Sequence, residues 1–346
     1  MISLRTRMRK LITQTSIVIA IAALLVLLSV ISALNQFYQP LSSLSEPKAF
    51  EVKPGDSLTV IASELVDDRI LPSSNLFRFM AWWRGVEDVL QAGEYQFDPG
   101  RSQADILQML VDGEVRQYRI TFIEGWRFSD VMDALSSASG LKTTLDGYTA
   151  EALGVALGLE VSHPEGMLHP DTYFYPRGTT DLELLKRARE RQQAILESQW
   201  EKRLGALPFS DPYEALTLAS VIEKESNAQS ERGRIAGVFI RRLEQGMRLQ
   251  SDPTVIYGLG QEFDGDLTRQ QLQALTPYNT YRINGLPPTP IALPGESSII
   301  ASLNPDPGDS LYFVSRGDGT HQFSVSLEEH NAAVNQFQRT AGSGRQ

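Results

Sequence analysis

The chain has 346 residues, 42% hydrophobic and 21% charged, with a net charge of −10 and no cysteine. Such a length predicts two or three packed domains, and the lack of cysteine excludes disulfides, thiolate metal sites and cysteine nucleophiles. The four histidines, His163, His169, His321 and His330, form no His-x-x-x-His pair, so a zinc centre lacks support and no metal or organic cofactor is expected.

Leu11 to Gln36 carry no charged side chain, and Ile17 to Leu34 are almost continuously apolar. About 20 such residues in a helix cross the hydrocarbon core of a bilayer. Residues 11–34 are therefore predicted to be a transmembrane helix. Arg5, Arg7, Arg9 and Lys10 precede it with no acidic residue, which predicts a cytoplasmic N-terminus, residues 1–10, and a single-pass protein of the inner membrane. A cleaved signal peptide is the rival, but its apolar core is usually only about 7–15 residues. Without those four basic residues the chain holds 28 Lys and Arg against 42 Asp and Glu, a net charge of −14. Nucleic acid is excluded as a partner, because its affinity comes from neutralising phosphates with Lys and Arg. A sugar polymer, held by aromatics and hydrogen bonds, is compatible.

Residues 35–47 read as a Ser- and Pro-rich linker. "FEVKPGD" (50–56) predicts a short strand and a turn, with Thr59 capping the next helix. "YRITFIEGWRFSDVMDALSSASGL" (118–141) repeats this plan 70 residues later: Gly55 aligns with Gly125, Leu58 with Phe128, Thr59 with Ser129, Ile61 with Val131 and Leu65 with Leu135. Residues 119–158 are thus a candidate second repeat. Between the repeats, "FRFMAWWRG" (77–85) reads as an aromatic helix face turned to the core, and a further helix is predicted from Ser102.

Prolines 164, 170 and 176 break up the stretch after His163. A long helix is predicted over 180–204, and a hairpin around the Asp-Gly turn at 318–319. Between them Asp211 and Pro212 open another helix as N-cap and first residue, and Glu214 completes a pattern like a capping box. Ala215, Leu218, Ala219 and Ile222 line one side of it. Glu223 and Glu225 then appear at opposite margins of that stripe. A carboxyl beside apolar surface keeps its proton to higher pH, which suits it to protonate a leaving oxygen. The period alone does not choose between the two glutamates, and a solvated charge run is the plain alternative.

Four segments carry a resemblance: "LASVIEKE" (218–225), "ERGRIAGVFIRRLEQGMRLQSDPTVIYGLG" (231–260), "TPYNTYRINGLPPTPIALPG" (276–295) and "EGMLHPDTYFYP" (165–176). In order and spacing, from about Lys48 to Phe337, they resemble the endolytic murein transglycosylase, or YceG-like, family. The resemblance implies an α+β protein: the N-terminal transmembrane helix, a LysM-like αβ module over 48–118, a mixed α+β catalytic domain over 119–340, and a flexible tail at 341–346. It implies a periplasmic catalytic part that cuts peptidoglycan glycan strands internally, ending strand elongation, with cell-wall synthases as candidate partners.

The same resemblance places the essential glutamate in the Glu-Lys-Glu segment. It falls on Glu225, because "VIEKESNAQ" is similar to the Ile-x-x-Glu-Ser helix end of soluble lytic transglycosylases; Glu223 is the alternative. The implied reaction is non-hydrolytic cleavage of the β-1,4 bond between N-acetylmuramic acid and N-acetylglucosamine, leaving 1,6-anhydro ends. Asn279, Tyr281, Gln250 and Asp252 are the candidate substrate-binding residues, polar and aromatic groups in loops; His321 is a weaker candidate. Arg241 and Arg242 are expected to pair with acidic surface. A non-catalytic LysM-like scaffold of a cell-wall synthesis complex and a hydrolytic muramidase are the alternatives.

Overall fold

A computed structural model describes residues 2–159, 163–226 and 228–339. Its N-terminal helix, α1 (Ile2–Tyr38), contains a segment, Gln14–Tyr38, with mean hydropathy 3.1, long and apolar enough to cross a membrane. Ile17, Leu25 and Val26 on it are more than half exposed. The expected segment 1–10 is helical from Ile2. The expected tail 341–346 lies outside the described residues.

The chain divides into two compact units, Met1–Tyr118 and Arg119–Gln346. In the first, β1 (Lys48–Val52) pairs antiparallel with β2 (Gly93–Phe97), with Phe50 opposite Tyr95. Two helices connect them, α2 (Leu58–Asp67) and α3 (Ser74–Arg84), and α4 (Gln103–Asp112) follows. Alternation along β1 turns Phe50 and Val52 inward, onto Ile61, Leu65, Phe77, Phe97 and Ile106. Phe37, Leu41 and Leu44, at or inside the segment read as a linker, are buried in this same core.

Two local expectations are corrected here. The cap of α2 is Ser57, whose hydroxyl accepts from Val60 N, and Thr59 lies in the first turn. The helical period places Phe77, Met80 and Ala81 on one side of α3 and Phe79, Trp82 and Trp83 on the other. Only the first three are buried; Trp82 and Trp83 are 61% and 71% exposed. One face of an 11-residue helix suffices to cover its side of the small core, so half of the aromatic cluster is left outside.

The second unit reuses the strand–helix–helix–strand order. Here β3 (Gln117–Thr121) starts at the division between the units and pairs with β4 (Thr172–Pro176) in a two-stranded sheet, with α5 (Phe128–Ser136) and α6 (Ala150–Ala156) between them. The residue ahead of α5 is Arg127, so Ser129, like Thr59, lies within the first turn rather than at the cap. Gly55 and Gly125 both take positive φ, 93° and 79°, where glycine is the residue without steric penalty.

The helical part begins with α7 (Asp181–Glu201), opened by a capping box between Thr180 and Glu183. Next come α8 (Pro212–Glu225), α9 (Arg232–Glu244), α10 (Asp252–Leu259), α11 (Arg269–Gln273) and α12 (Glu296–Leu303). The predicted hairpin is β5 (Tyr312–Ser315) with β6 (His321–Ser324), Phe313 opposite Phe323, followed by α13 (Leu327–Val334). The architecture is mixed α+β.

Helix α8 is the axis of this part. Leu216, Leu218, Ala219, Val221 and Ile222 have no exposed surface, and α7, α9, α10 and α12 pack around it. The expected single apolar stripe is therefore a helix buried on all sides.

Candidate active site

The sequence of α8 explains where its end lies. Asp211 caps it, accepting from Glu214 N at 3.0 Å, with Pro212 in the first turn. The Glu214 carboxylate reaches Ser210 N at 2.6 Å, one residue before the reciprocal bond of the expected capping box. The helix then runs through the core and stops at Ser226, whose backbone is extended (φ −145°, ψ 129°). Its last turn delivers the two glutamates to different surroundings.

Glu223 is 8% exposed, and both of its oxygens are engaged. Arg232 Nη2 donates to Oε1 at 2.7 Å. Gly295 N and Ser298 Oγ donate to Oε2 at 3.0 and 2.8 Å. These bonds join α8, α9 and the start of α12. Arg232 also bonds Ser297 Oγ and lies 3.6 Å from Glu124.

Glu225 instead opens on a groove of about 750 Å³, bordered by Ser226, Arg242, Gln250, Asp252, Tyr281 and the β5–β6 hairpin with α13. Ser251, itself buried, donates to Glu225 Oε1 at 2.5 Å. Burial pushes the Glu225 carboxyl up to about 7; the Ser251 hydroxyl opposes that rise, Asp252 adds to it, and Arg242 opposes it. The position at the carbonyl end of a helix works in the same direction as burial, since a negative charge is disfavoured there. Near neutral pH this carboxyl therefore exists in both protonation states, as a group must that donates a proton and later takes one back.

Tyr281, Gln250, Asp252 and His321 all border the groove. The Tyr281 hydroxyl donates to Asp252 Oδ1 at 2.7 Å, and burial raises the Tyr281 phenol above its ordinary value. Gln250 sits at φ 54°, unusual for a residue with a side chain, and its backbone N–H donates to Thr280 O. Asn279 differs from the expectation. It has no exposed surface; its amide nitrogen donates to Gln271 O, Leu272 O and Ala274 O, and its oxygen accepts from Tyr281 N. Asn279 therefore staples the loop that carries Tyr281 and is not available to substrate.

Arg241 has acidic neighbours as expected, Asp309 and Glu244, but both arginines are held mainly by main-chain carbonyls. Arg242 donates to Leu311 O and Leu249 O, and Arg241 to Ser310 O. Guanidinium groups that satisfy carbonyls tie α9 to the strand entering the hairpin, which an acidic surface partner would not do. His321 Nδ1 lies 2.8 Å from Glu231 Oε2, a pairing that sequence spacing cannot reveal across 90 residues.

Sequence reasoning passed over Ser251, Tyr312, His330 and Glu165. Only the position of Ser251, just before Asp252, hinted at a role. Tyr312 and His330 border the groove with their rings stacked, 5.2 Å between centroids. His330 Nδ1 is buried without a hydrogen-bond partner among the described residues, and burial lowers the His330 pKa. Glu165 is a second carboxyl that burial raises to about 7, but it accepts from Phe128 N and the Tyr257 hydroxyl and does not border the groove. Among the described residues, no three His, Asp or Glu side chains converge as a metal-ligand set.

The YceG-like family matches residues 50–336. A protein of Bacillus subtilis named endolytic murein transglycosylase is 32% identical over 303 residues, 83% of this chain and 83% of that protein. A protein of the same name from Streptococcus pneumoniae is 25% identical over 318 residues, 82% of this chain but 57% of its own length. Among solved structures, the crystal structure of a yceG-like protein from Listeria monocytogenes is similar, with 29% identity and a TM-score of 0.53, covering 83% of this chain and 98% of that one.

Proposed function

Given that the chain belongs to the YceG-like family, we propose that it is an endolytic murein transglycosylase with Glu225 as its acid and base. The observation that carries this reading is Glu225 itself: a carboxyl raised to about 7, at the end of a buried helix, opening on a groove of about 750 Å³.

Glu225 gives its proton to the oxygen bridging N-acetylmuramic acid and N-acetylglucosamine, and the C1–O bond breaks. The muramic acid C6 hydroxyl attacks C1 and surrenders its proton to the Glu225 carboxylate, which restores the acid. One bond to C1 breaks and one forms, no water is consumed, and the product is a 1,6-anhydro end. A single carboxyl serves both steps because the nucleophile already belongs to the sugar, at high effective molarity. The substrate's acetamido group can stabilise the cationic centre, as in substrate-assisted glycosidases. Ser251 holds the carboxyl, and Tyr281, Asp252 and Gln250 border the path of the strand. Glycan strands ended in this way stop growing.

The rest of the chain is assigned around that site. Helix α1 is the single inner-membrane anchor, with residues 1–10 cytoplasmic and the catalytic part, 119–340, periplasmic. The β–α–α–β order of 48–118 supports a LysM-like module, and the recurrence of that order from β3 to β4 supports a second one. Cell-wall synthases are the proposed neighbours.

Mass spectrometry of glycan digests tests the reaction. Wild-type protein should yield anhydro ends, one water lighter than reducing ends, and Glu225→Gln should yield none. Reducing ends from the wild type would make the protein a hydrolytic muramidase. No cleavage by a folded wild type would leave it a scaffold. Full activity in Glu225→Gln, lost in Glu223→Gln, would move the acid to Glu223.

A further inference from the structure

The three aromatics that α3 turns away from the core form a continuous ridge. Phe79 lies 5.9 Å from Trp82 and 6.3 Å from Trp83, ring centroid to ring centroid, and all three are more than half exposed. Monomeric proteins seldom leave such an apolar group without a partner.

The next residue, Arg84, shows where the ridge lies. Its Nη2 donates to the Tyr38 hydroxyl at 3.0 Å, and its guanidinium stands 5.3 Å from the Phe37 ring centroid. Tyr38 is the last residue of α1, four residues beyond Leu34. At 1.5 Å per residue that is about 6 Å past the apolar stretch, a distance close to the depth of one headgroup layer, about 5–8 Å. The junction is tied down: Leu41 N donates to Arg101 O, and Gln103 Nε2 to Gln36 O. Charge agrees with position. α3 carries Arg78 and Arg84 and no acidic residue, within a chain that is strongly acidic overall.

We propose that Phe79, Trp82 and Trp83, with Tyr38, seat in the lipid headgroup layer at the membrane surface where α1 emerges, and so fix the height and tilt of the first unit on the bilayer. Indole rings favour that layer because they offer apolar area together with an N–H. Arg78 and Arg84 meet lipid phosphates there, while their stems lie along the apolar boundary. The inference rests on α1 being a membrane span. Phe79 and Trp82 also edge a cavity of about 840 Å³ with Asp56, Thr59 and Glu87, so sugar is the competing occupant. Lipid is favoured because Trp83, the most exposed of the three, does not border that cavity and is adjacent to the residue bonded to Tyr38.

The test uses the full chain in vesicles of phosphatidylethanolamine and phosphatidylglycerol. Trp126→Phe and Trp200→Phe leave Trp82 and Trp83 as the only tryptophans. Lipid brominated at the upper acyl chain should quench their emission, and aqueous acrylamide should not. A second chain lacking all four native tryptophans and carrying Leu27→Trp reports on the span. If brominated lipid quenches the Leu27→Trp probe while the ridge is quenched by acrylamide alone, the inference falls and the anchor stands. If brominated lipid leaves the Leu27→Trp probe unquenched, the anchor reading falls and takes the inference with it. An emission shift of the ridge on adding N-acetylglucosamine oligosaccharides, without lipid quenching, would make it a sugar platform. Should the substituted chains fail to fold, 5-fluorotryptophan in the unsubstituted chain gives the same answer: a paramagnetic headgroup lipid should broaden two of the four fluorine resonances, and broadening of none would overturn the proposal.

Discussion

Arg232 Nη2 donates to Glu223 Oε1 at 2.7 Å, and each side chain is 5% exposed. Two residues further on, Glu225 faces the groove with a single hydroxyl bonded to it. One turn of helix thus carries one carboxylate used as a clamp and one poised for proton transfer. Glu223→Ala leaves a buried guanidinium without its closest counter-charge, which costs about 3–5 kcal/mol. Glu124, at 3.6 Å, offsets part of this. Thermal unfolding should show a midpoint lowered by roughly 10 °C, whereas Glu225→Gln should lose activity with no drop in the midpoint.

Activity should fall as pH rises through the Glu225 pKa of about 7. The free enzyme needs the acid protonated, so kcat/KM should decline about tenfold per pH unit above that point. Stability follows the same group. Its folded pKa is raised above the unfolded value of 4.5, so between the two the folded chain binds the extra proton, and stability falls as pH rises. Glu225→Gln should therefore stabilise the chain at pH 8 relative to pH 4, by up to about 3 kcal/mol. Denaturant unfolding at the two pH values reads it, and equal effects at both would contradict the assignment.

The Ser251 hydroxyl holds the Glu225 pKa below what burial alone would give. Ser251→Ala should move the alkaline limb of the rate profile to higher pH. It should also lower kcat by roughly tenfold, the worth of a hydrogen bond to a charged or reacting carboxyl. A lower rate with an unmoved limb would mean that Ser251 shapes the loop and does not touch the acid.

His330 borders the groove on an imidazole that burial keeps neutral near pH 7, with Nδ1 buried and Nε2 the ring nitrogen left to meet a ligand. A bound sugar hydroxyl or acetamide would bond Nε2. His330→Phe should raise KM by about fivefold to tenfold with kcat nearly unchanged, the loss of one neutral hydrogen bond made equally in ground and transition states. Steady-state kinetics on purified glycan strands distinguishes this from a fall in kcat.

Asn279 should behave as a loop staple. Asn279→Ala removes donors to three carbonyls and should cost about 2–3 kcal/mol. Tyr281→Phe, which removes only the hydroxyl bonded to Asp252, should leave stability within about 0.5 kcal/mol and change kinetics alone. Paired thermal melts and rate measurements separate the two residues that sequence had grouped together.

Much of the local structure was legible because it depends on near neighbours. The apolar run ahead of Tyr38, the helices beginning near Ser102 and Thr180, the Asp-Gly hairpin and the start of α8 at Asp211 all follow from groups close to one another along the chain. What was misread depends on faces. The α3 aromatics were assigned to the core because aromatic burial is the default, yet a small unit has room for only one side of the helix. α8 was read as striped because small polar residues such as Thr217 and Ser220 do not announce that they too are buried.

By itself, then, the sequence determined an apolar N-terminal helix, short strands and helices with their turns, and a Glu-Lys-Glu helix end, each encoded by short-range pattern. Only the tertiary structure separated the two glutamates. Helical rotation carries Glu223 against Arg232, Gly295 and Ser298, and Glu225 against Ser251, partners contributed by segments 9 to 75 residues away. A carboxyl's chemistry is set by which distant donors and which low-dielectric surroundings reach it, and those exist only once the chain has folded.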